Sequence, residues 1–213
     1  MDDTIQQAGI FHVSQTEARK LLRRSDIKSE GYAIPYFDVH GNPILQRNGQ
    51  PYVSVKLDTP PKDKRGKAKK YLKPGGEPNY LYIPLGSAKA IQDASQPLYV
   101  TEGEKKALKM GQEGFPCMAF PGVWGFKTRN GPKPGESLPL PQLDHIPLSG
   151  RDVLIVFDSD AGTNPKVQYA ERAFSEYASN RGASVHVLRL PPDADGEKVG
   201  VDDFLVHHGA EAL

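Results

Sequence analysis

Two acidic groups in the second half of the chain have the spacing to do chemistry. One is Tyr99-Val100-Thr101-Glu102-Gly103-Glu104; the other is Phe157-Asp158-Ser159-Asp160-Ala161-Gly162. Each closes an apolar run. Carboxylates gathered in one crevice repel unless a cation sits between them, and hard oxygen donors of this kind select Mg²⁺ or Mn²⁺. Asp158 and Asp160 are two apart, so both can point to one side of an extended segment. Alone, a D-x-D tripeptide reads more readily as a solvated turn. Alone, Glu102 can simply start the next helix. The ordered combination carries more weight: strand, Glu-Gly, helix, strand, then apolar strand and D-x-D-x-Gly. Glu104 reads as a first-turn helix acid rather than a ligand. Asp202 and Asp203 form a third cluster after the last strand, where one is expected to cap a helix and the other to face the site.

The surrounding pattern shows what must position these groups. From Pro97 onward strands and helices alternate. Leu98–Val100 is a strand, Glu104–Glu113 a helix closed by Gly114, and Pro116–Phe120 a second strand. Val153–Phe157 is a continuous apolar run, as expected of a strand buried on both faces. Asn164 and Pro165 supply an N-cap and first helical residue, with Val167, Ala170, Phe174 and Tyr177 following at helical spacing. Val185–Leu190 is the last strand. This alternation implies a mainly parallel sheet with crossover helices, and ligands collect at the carboxyl ends of such strands. Residues 127–150 hold five prolines and no period, which reads as a long insertion or mobile loop.

The first half reads as a small basic α+β subdomain. Ser14-Gln-Thr-Glu17 is a capping box for a short helix through about Arg24. Tyr32–Phe37 and Tyr52–Leu57 are strand-like, with His40-Gly41-Asn42 as a turn after the first. Residues 60–78 read as an exposed loop, and Tyr80–Ile83 as another short strand. Lys62, Lys64, Arg65, Lys67, Lys69, Lys70 and Lys73 face one acid, Asp63, over residues 62–73. Such a run is often just a solvated surface. With Tyr71 interleaved, it also fits phosphate neutralisation with a base stacked on the ring. Arg47 and Lys56 would extend that patch. Trp124, between glycines, reads as a hydrophobic plug or, alternatively, as a platform for a base. The six histidines show no metal-ligand spacing.

Composition narrows the class. An apolar fraction of 38% and a charged fraction of 25% over 213 residues mark a globular chain of one large domain or two small ones. One cysteine excludes a disulfide framework and a Cys-rich zinc site. No apolar run reaches the roughly 18 residues of a membrane span, and the acidic N-terminus lacks signal-peptide character. A cytoplasmic setting is expected, with no membrane partner. Residues 1–98 carry 15 Lys/Arg against 10 Asp/Glu, and residues 99–213 carry 12 against 16. A basic half suits a polyanion and an acidic half suits cations.

Residues 97–213 resemble the Toprim domain shared by bacterial replicative primases, type IA and II topoisomerases and some nucleases. The matching positions are Glu102-Gly103, Asp158-x-Asp160 and Gly162. The resemblance continues upstream in the primase direction. Ile34-Pro35-Tyr36-Phe37-Asp38-Val39-His40-Gly41 is similar to the P-I-x-D-x-x-G strand of primases. Lys70-Tyr71-Leu72-Lys73-Pro74 is similar to the stretch K-Y-L-N-S-P that handles template and nucleotide. Val201-Asp202-Asp203-Phe204-Leu205 resembles the tail D-P-D-x-L, with Val201 in place of its first Asp. The chain is also similar to the Toprim-like domain of plasmid and phage replication proteins.

The resemblance implies a Toprim-type α/β fold over residues 97–213, preceded by a basic subdomain over 1–96. Glu102, Asp158 and Asp160 would be catalytic and, with Asp203, would hold Mg²⁺ or Mn²⁺. Arg65, Lys67, Lys69, Lys70 and Tyr71 would hold nucleic acid or nucleotide. The implied activity is primase-type primer synthesis in mobile-element DNA replication, on a single-stranded DNA template with nucleoside triphosphates, and with a replicative helicase as possible partner. A Toprim nuclease and a non-catalytic module that recruits a helicase or polymerase are the alternatives. The chain ends within an expected helix, which suggests a fragment of a longer protein.

Overall fold

The computed structural model describes residues 3–63, 66, 68–128 and 136–213. The chain divides into two compact units, one up to Pro78 and one from Asn79 to Leu213. Among the described residues no helix is long and apolar enough to cross a membrane.

The first unit begins with helix α1 (Asp3–Gln7) and strand β1 (Phe11–Val13). Helix α2 (Gln15–Leu22) follows, and its capping box forms: the Ser14 hydroxyl accepts from the Glu17 N–H, while the Glu17 carboxylate accepts from the Ser14 N–H. Strands β2 (Gly31–Pro35), β3 (Val53–Leu57) and β4 (Tyr71–Leu72) complete an antiparallel meander in the order β1-β2-β3-β4. Alternation sorts the faces. Val13, Ala33, Val55 and Leu72 point toward α2 and form a core with Ala18, Leu22 and Ile27. Each fully buried aliphatic side chain there contributes about 1.5–3 kcal/mol. The turn at residues 38–42 is held by the Asp38 carboxylate, which accepts from the backbone N–H of His40 and of Asn42. The loop expected over 60–78 is interrupted by β4, because Leu72 is apolar enough to add one more pair to β3.

The second unit carries a four-stranded parallel sheet in the order β6-β5-β7-β8. Its strands are β5 (Leu98–Glu102), β6 (Cys117–Phe120), β7 (Asp152–Val156) and β8 (Ser184–Leu188). Helices α4 (Glu104–Gln112), α5 (Pro165–Ser179) and α6 (Val201–His208) flank it, after a short α3 (Ala88–Ile91). Asn164 caps α5 by accepting from the Lys166 N–H, with Pro165 at the first helical position. The mixed α/β architecture with a parallel sheet flanked by helices is as expected.

Two details differ from the expected pattern. Tyr80–Ile83 is not a strand; only Tyr82 bridges, to Ala119, while Leu81, Tyr82 and Ile83 are buried. The described part of the 127–150 segment is packed structure. Lys127 bridges Pro139, and Leu140, Leu143, Ile146 and Leu148 are buried. These apolar residues sit in a 3₁₀ turn (Pro141–His145) and extended backbone, so no single period reveals them.

Residues 79–96 belong with the second unit, though the strand–helix alternation starts only at Pro97. Arg151, fully buried, explains part of this. Its guanidinium donates to the carbonyls of Ala90, Ile91, Gln96 and Pro147. A buried charge tolerates its desolvation only with several acceptors of this sort.

Candidate metal and nucleic-acid sites

The acidic residues are set by the sheet. β5 and β7 are adjacent and parallel, so Glu102 at the end of one and Asp158 just past the other leave the same edge. Gly103 turns the chain with φ 84°, a region that disfavours any other residue. Helix α4 then starts at once, which places Lys106 one turn beyond Glu102. Its ammonium lies 3.9 Å from Glu102 Oε1 and 2.6 Å from Asp158 Oδ1.

A second lysine joins from the other end of the unit. Lys198 Nζ lies 2.7 Å from Asp158 Oδ2 and 3.0 Å from Asp160 Oδ1. Ser159 places it. The Ser159 N–H donates to the Val199 carbonyl and its hydroxyl accepts from the Val199 N–H. Asp158 is extended, but Asp160 lies in a 3₁₀ turn, Ser159–Gly162. The two carboxylates therefore meet through Lys198 rather than through the alternation of an extended segment.

Asp202 is the member of the third cluster that turns inward. Its Oδ2 lies 3.3 Å from Lys105 Nζ, while Asp203 is exposed. The start of α6 at Val201 fixes this phase. Gly200 leaves room for the group. A Cβ there would stand 2.6 Å from Asp202 Oδ1, 2.8 Å from Lys106 Cε and 3.5 Å from Asp158 Oδ1.

Burial shapes the electrostatics. Glu102 is held above the ordinary carboxylate value, first by burial; Lys106 pulls it back and Asp158 pushes it up again. Burial lowers Lys198, but its pairs with Asp158 and Asp160 more than offset that and hold it above the usual value. The charged form of Glu102 thus costs stability above its folded pKa. The cost disappears as pH falls below the ordinary Glu value, about 4.3. Glu102→Gln is expected to raise the melting temperature by a few degrees at pH 7 in EDTA, with the gain closing near pH 4. A lower melting temperature at pH 7 would show that the Lys106 pair outweighs burial.

Among the described residues, no three His, Cys, Asp or Glu side chains converge as a metal-ligating set. Glu102, Asp158 and Asp160 instead share two ammonium groups. The donor chemistry nonetheless suits a hard divalent ion. Asp158 Oδ1 and Asp202 Oδ1 are buried oxygens that accept no hydrogen bond, although Oδ1 of Asp158 has Lys106 within ion-pair distance.

The basic segment belongs to the first unit. Lys64, Arg65 and Lys67 lie outside the described residues, while Lys69 and Lys70 are exposed. Tyr71 stands in β4, half-buried, and register extends its row across the sheet. Tyr71 pairs with Lys56, Lys56 with Tyr32, and Tyr32 with His12. This row lies on the face opposite the α2 core. Tyr32 is 52% exposed and Lys56 is exposed. Lys106, Lys198, Ser159 and Tyr32 escape sequence reasoning. Only Lys106 carries a local signal, its i+4 spacing from Glu102.

The Aquifex aeolicus primase zinc-binding and RNA polymerase domains align with 100% of the chain and 51% of that structure, at TM-score 0.59 and 15% identity. A DnaG primase catalytic domain bound to single-stranded DNA aligns with 100% of the chain and 65% of its own, at TM-score 0.57 and 16% identity. These likenesses show a shared fold with primase catalytic cores. A Picosynechococcus sp. protein described as uncharacterized is 32% identical over 127 residues, 55% of the chain. The match covers only 12% of that relative. Residues 88–212 match the family model described as Domain of unknown function (DUF3854), and the chain belongs to that family.

Proposed function

We propose that the chain is a Toprim-type, divalent-metal-dependent phosphoryl-transfer module acting on single-stranded nucleic acid, and that its reaction is primase-like primer synthesis in mobile-element replication. The observation that supports this best is the meeting of Glu102, Asp158 and Asp160 around shared cations at the carboxyl edge of two adjacent parallel strands. Likeness to primase catalytic cores along the full chain agrees with it.

In this reading Glu102, Asp158 and Asp160 hold Mg²⁺ or Mn²⁺, with Asp202 rather than Asp203 closing the shell. An ion held there would supply charge neutralisation for a triphosphate and orientation of the reacting phosphate. Lys106 and Lys198 keep the carboxylates together when no ion is present. Lys69 and Lys70 neutralise template phosphates, and the Tyr71–Lys56–Tyr32 row offers stacking faces between them. Template DNA and nucleoside triphosphates are the partners, a replicative helicase is a further one, and the setting is cytoplasmic.

The second reading, a binding module without turnover, draws on one observation: lysines pair with the carboxylates that a catalytic ion would need. Incubation with single-stranded DNA, Mg²⁺ or Mn²⁺ and labelled nucleoside triphosphates separates the two. Extended products support primer synthesis. Shortened DNA in the absence of triphosphates identifies a nuclease. DNA binding with neither product leaves the module.

The role of the basic face has its own test. Lys70→Ala with Tyr71→Ala is expected to weaken binding of oligo-dT about tenfold at low salt. Loss of one stacked base costs about 1–3 kcal/mol, and 1.4 kcal/mol is tenfold. The difference should narrow at high salt, where the phosphate contribution is screened. Anisotropy of a labelled strand measures it. Unchanged affinity at low salt would make this face a merely solvated surface.

A further inference from the structure

Trp124 and Tyr169 form an exposed aromatic pair that the acidic site does not use. Trp124 sits in the turn after β6, and Tyr169 lies on α5, which follows the acidic turn after β7. Both segments leave the carboxyl edge of the sheet. Their ring centroids are 5.4 Å apart, tilted by 44°. Trp124 is 40% exposed and Tyr169 is 65% exposed. Aromatic side chains bury well, so two of them side by side in solvent call for a reason.

The pair is built rather than left over. The inner face of Trp124 stacks on Phe126, which is fully buried, at 6.3 Å and 18°. Gly125 permits the tight turn beneath: a Cβ there would strike the Pro121 ring at 2.5 Å. The next strand-like step, Lys127 to Pro139, ties the turn to the packed segment that follows. Beside the indole opens a cleft of about 340 Å³ lined also by Asn79 and Thr128. That volume lies in the range of small-ligand sites.

Charge selects the occupant. Lys127 Nζ already stands 5.8 Å from the Trp124 ring centroid and 5.2 Å from that of Phe126. A cationic guest would be repelled. A flat π-system attached to an anion is attracted by both parts: its face by the rings, its charge by the ammonium. We propose that Trp124 and Tyr169 stack a base of single-stranded nucleic acid, with Lys127 pairing with an adjacent phosphate. The platform then holds a strand that leaves the carboxyl edge of the parallel sheet. This inference rests on the nucleic-acid part of the proposed function and not on turnover.

Trp124 is the single tryptophan of the chain, so intrinsic fluorescence reports on this site alone. The full chain is titrated in EDTA with oligo-dT, with an abasic strand of equal length, and with dTTP. Saturable quenching by oligo-dT, much weaker quenching by the abasic strand and little by dTTP are expected. By anisotropy of a labelled strand, Trp124→Ala and Tyr169→Ala should each weaken binding by about 5- to 150-fold, from the usual stacking range. Trp124→Phe should retain most affinity. Tyr169→Ala keeps the test valid if Trp124→Ala disturbs packing on Phe126. Equal quenching by the abasic strand, or unchanged affinity in Tyr169→Ala, would overturn the proposal. Quenching by dTTP as strong as by oligo-dT would overturn the strand as occupant in favour of a mononucleotide. Oligo-dT binding without a tryptophan response sinks the platform and leaves the proposed function standing. Absence of any binding sinks both.

Discussion

Asp158→Asn and Asp160→Asn should each abolish divalent-dependent activity while leaving single-stranded DNA binding unchanged or tighter. The loss should exceed about 100-fold, since changes merely in the shell around metal ligands already cost about 10–100-fold. The opposite sign for binding follows from the charges. Without metal, the acidic cluster repels a phosphate backbone. Asp158 also engages both Lys106 and Lys198. Neutralising it removes one repulsive charge and loosens two ammonium groups, each left with one carboxylate, Lys106 with Glu102 and Lys198 with Asp160. Asp160 pairs with Lys198 alone, so its gain in binding should be the smaller of the two. Primer extension and strand anisotropy on the same preparations measure the two effects. Full primer synthesis or cleavage by both variants in Mg²⁺ would show that the chemistry lies elsewhere.

The carboxylates were legible in the sequence because parallel-sheet physics puts functional groups at strand ends. Two apolar runs ending in Glu102-Gly103 and Asp158-x-Asp160 need little more than that rule. The fold class followed from the same alternation. The lysines were not legible for a physical reason. A lysine in a helix or loop is solvated by default, and nothing local marks the exceptions. Lys198 reaches Asp158 only because Ser159 and Val199 exchange two hydrogen bonds across 40 residues. Tyr32 was likewise hidden, since membership of a row with Lys56 and Tyr71 depends on strand register. The phase of α6 sets which of Asp202 and Asp203 turns inward, and one residue of helix start is finer than any capping rule resolves. The packed stretch after Pro139 lacks a period because its buried residues alternate between 3₁₀ and extended backbone.

Lys106 now becomes the sharpest probe of the site. It stands between Glu102 and Asp158, its side chain 18% exposed, whereas Lys198 is 49% exposed. Removing one member of a buried ion pair typically costs about 3–5 kcal/mol, because the partner charge is stranded. The full figure does not apply, since Lys198 still holds Asp158 Oδ2. For Lys106→Met a loss near 2 kcal/mol is expected, or about 4–8 °C in melting temperature for a chain of this size. Lys198→Ala should cost less, because a half-exposed pair is screened by water. The same reasoning sets the response to metal. A divalent ion that binds the native state alone stabilises it in proportion to the logarithm of its concentration over its dissociation constant. Lys106→Met removes a competing charge and leaves Glu102 and Asp158 with no cation between them. Its melting temperature should therefore rise more with millimolar Mg²⁺ than that of the unaltered chain, recovering part of the loss. Melts in EDTA and in Mg²⁺, compared between the two proteins, decide the matter. If Lys106→Met melts as the unaltered chain does and gains nothing from Mg²⁺, the lysine is not the counter-ion of this site. If it melts lower but ignores Mg²⁺, the acidic group is a lysine-paired structural cluster, and the binding-module reading prevails over catalysis.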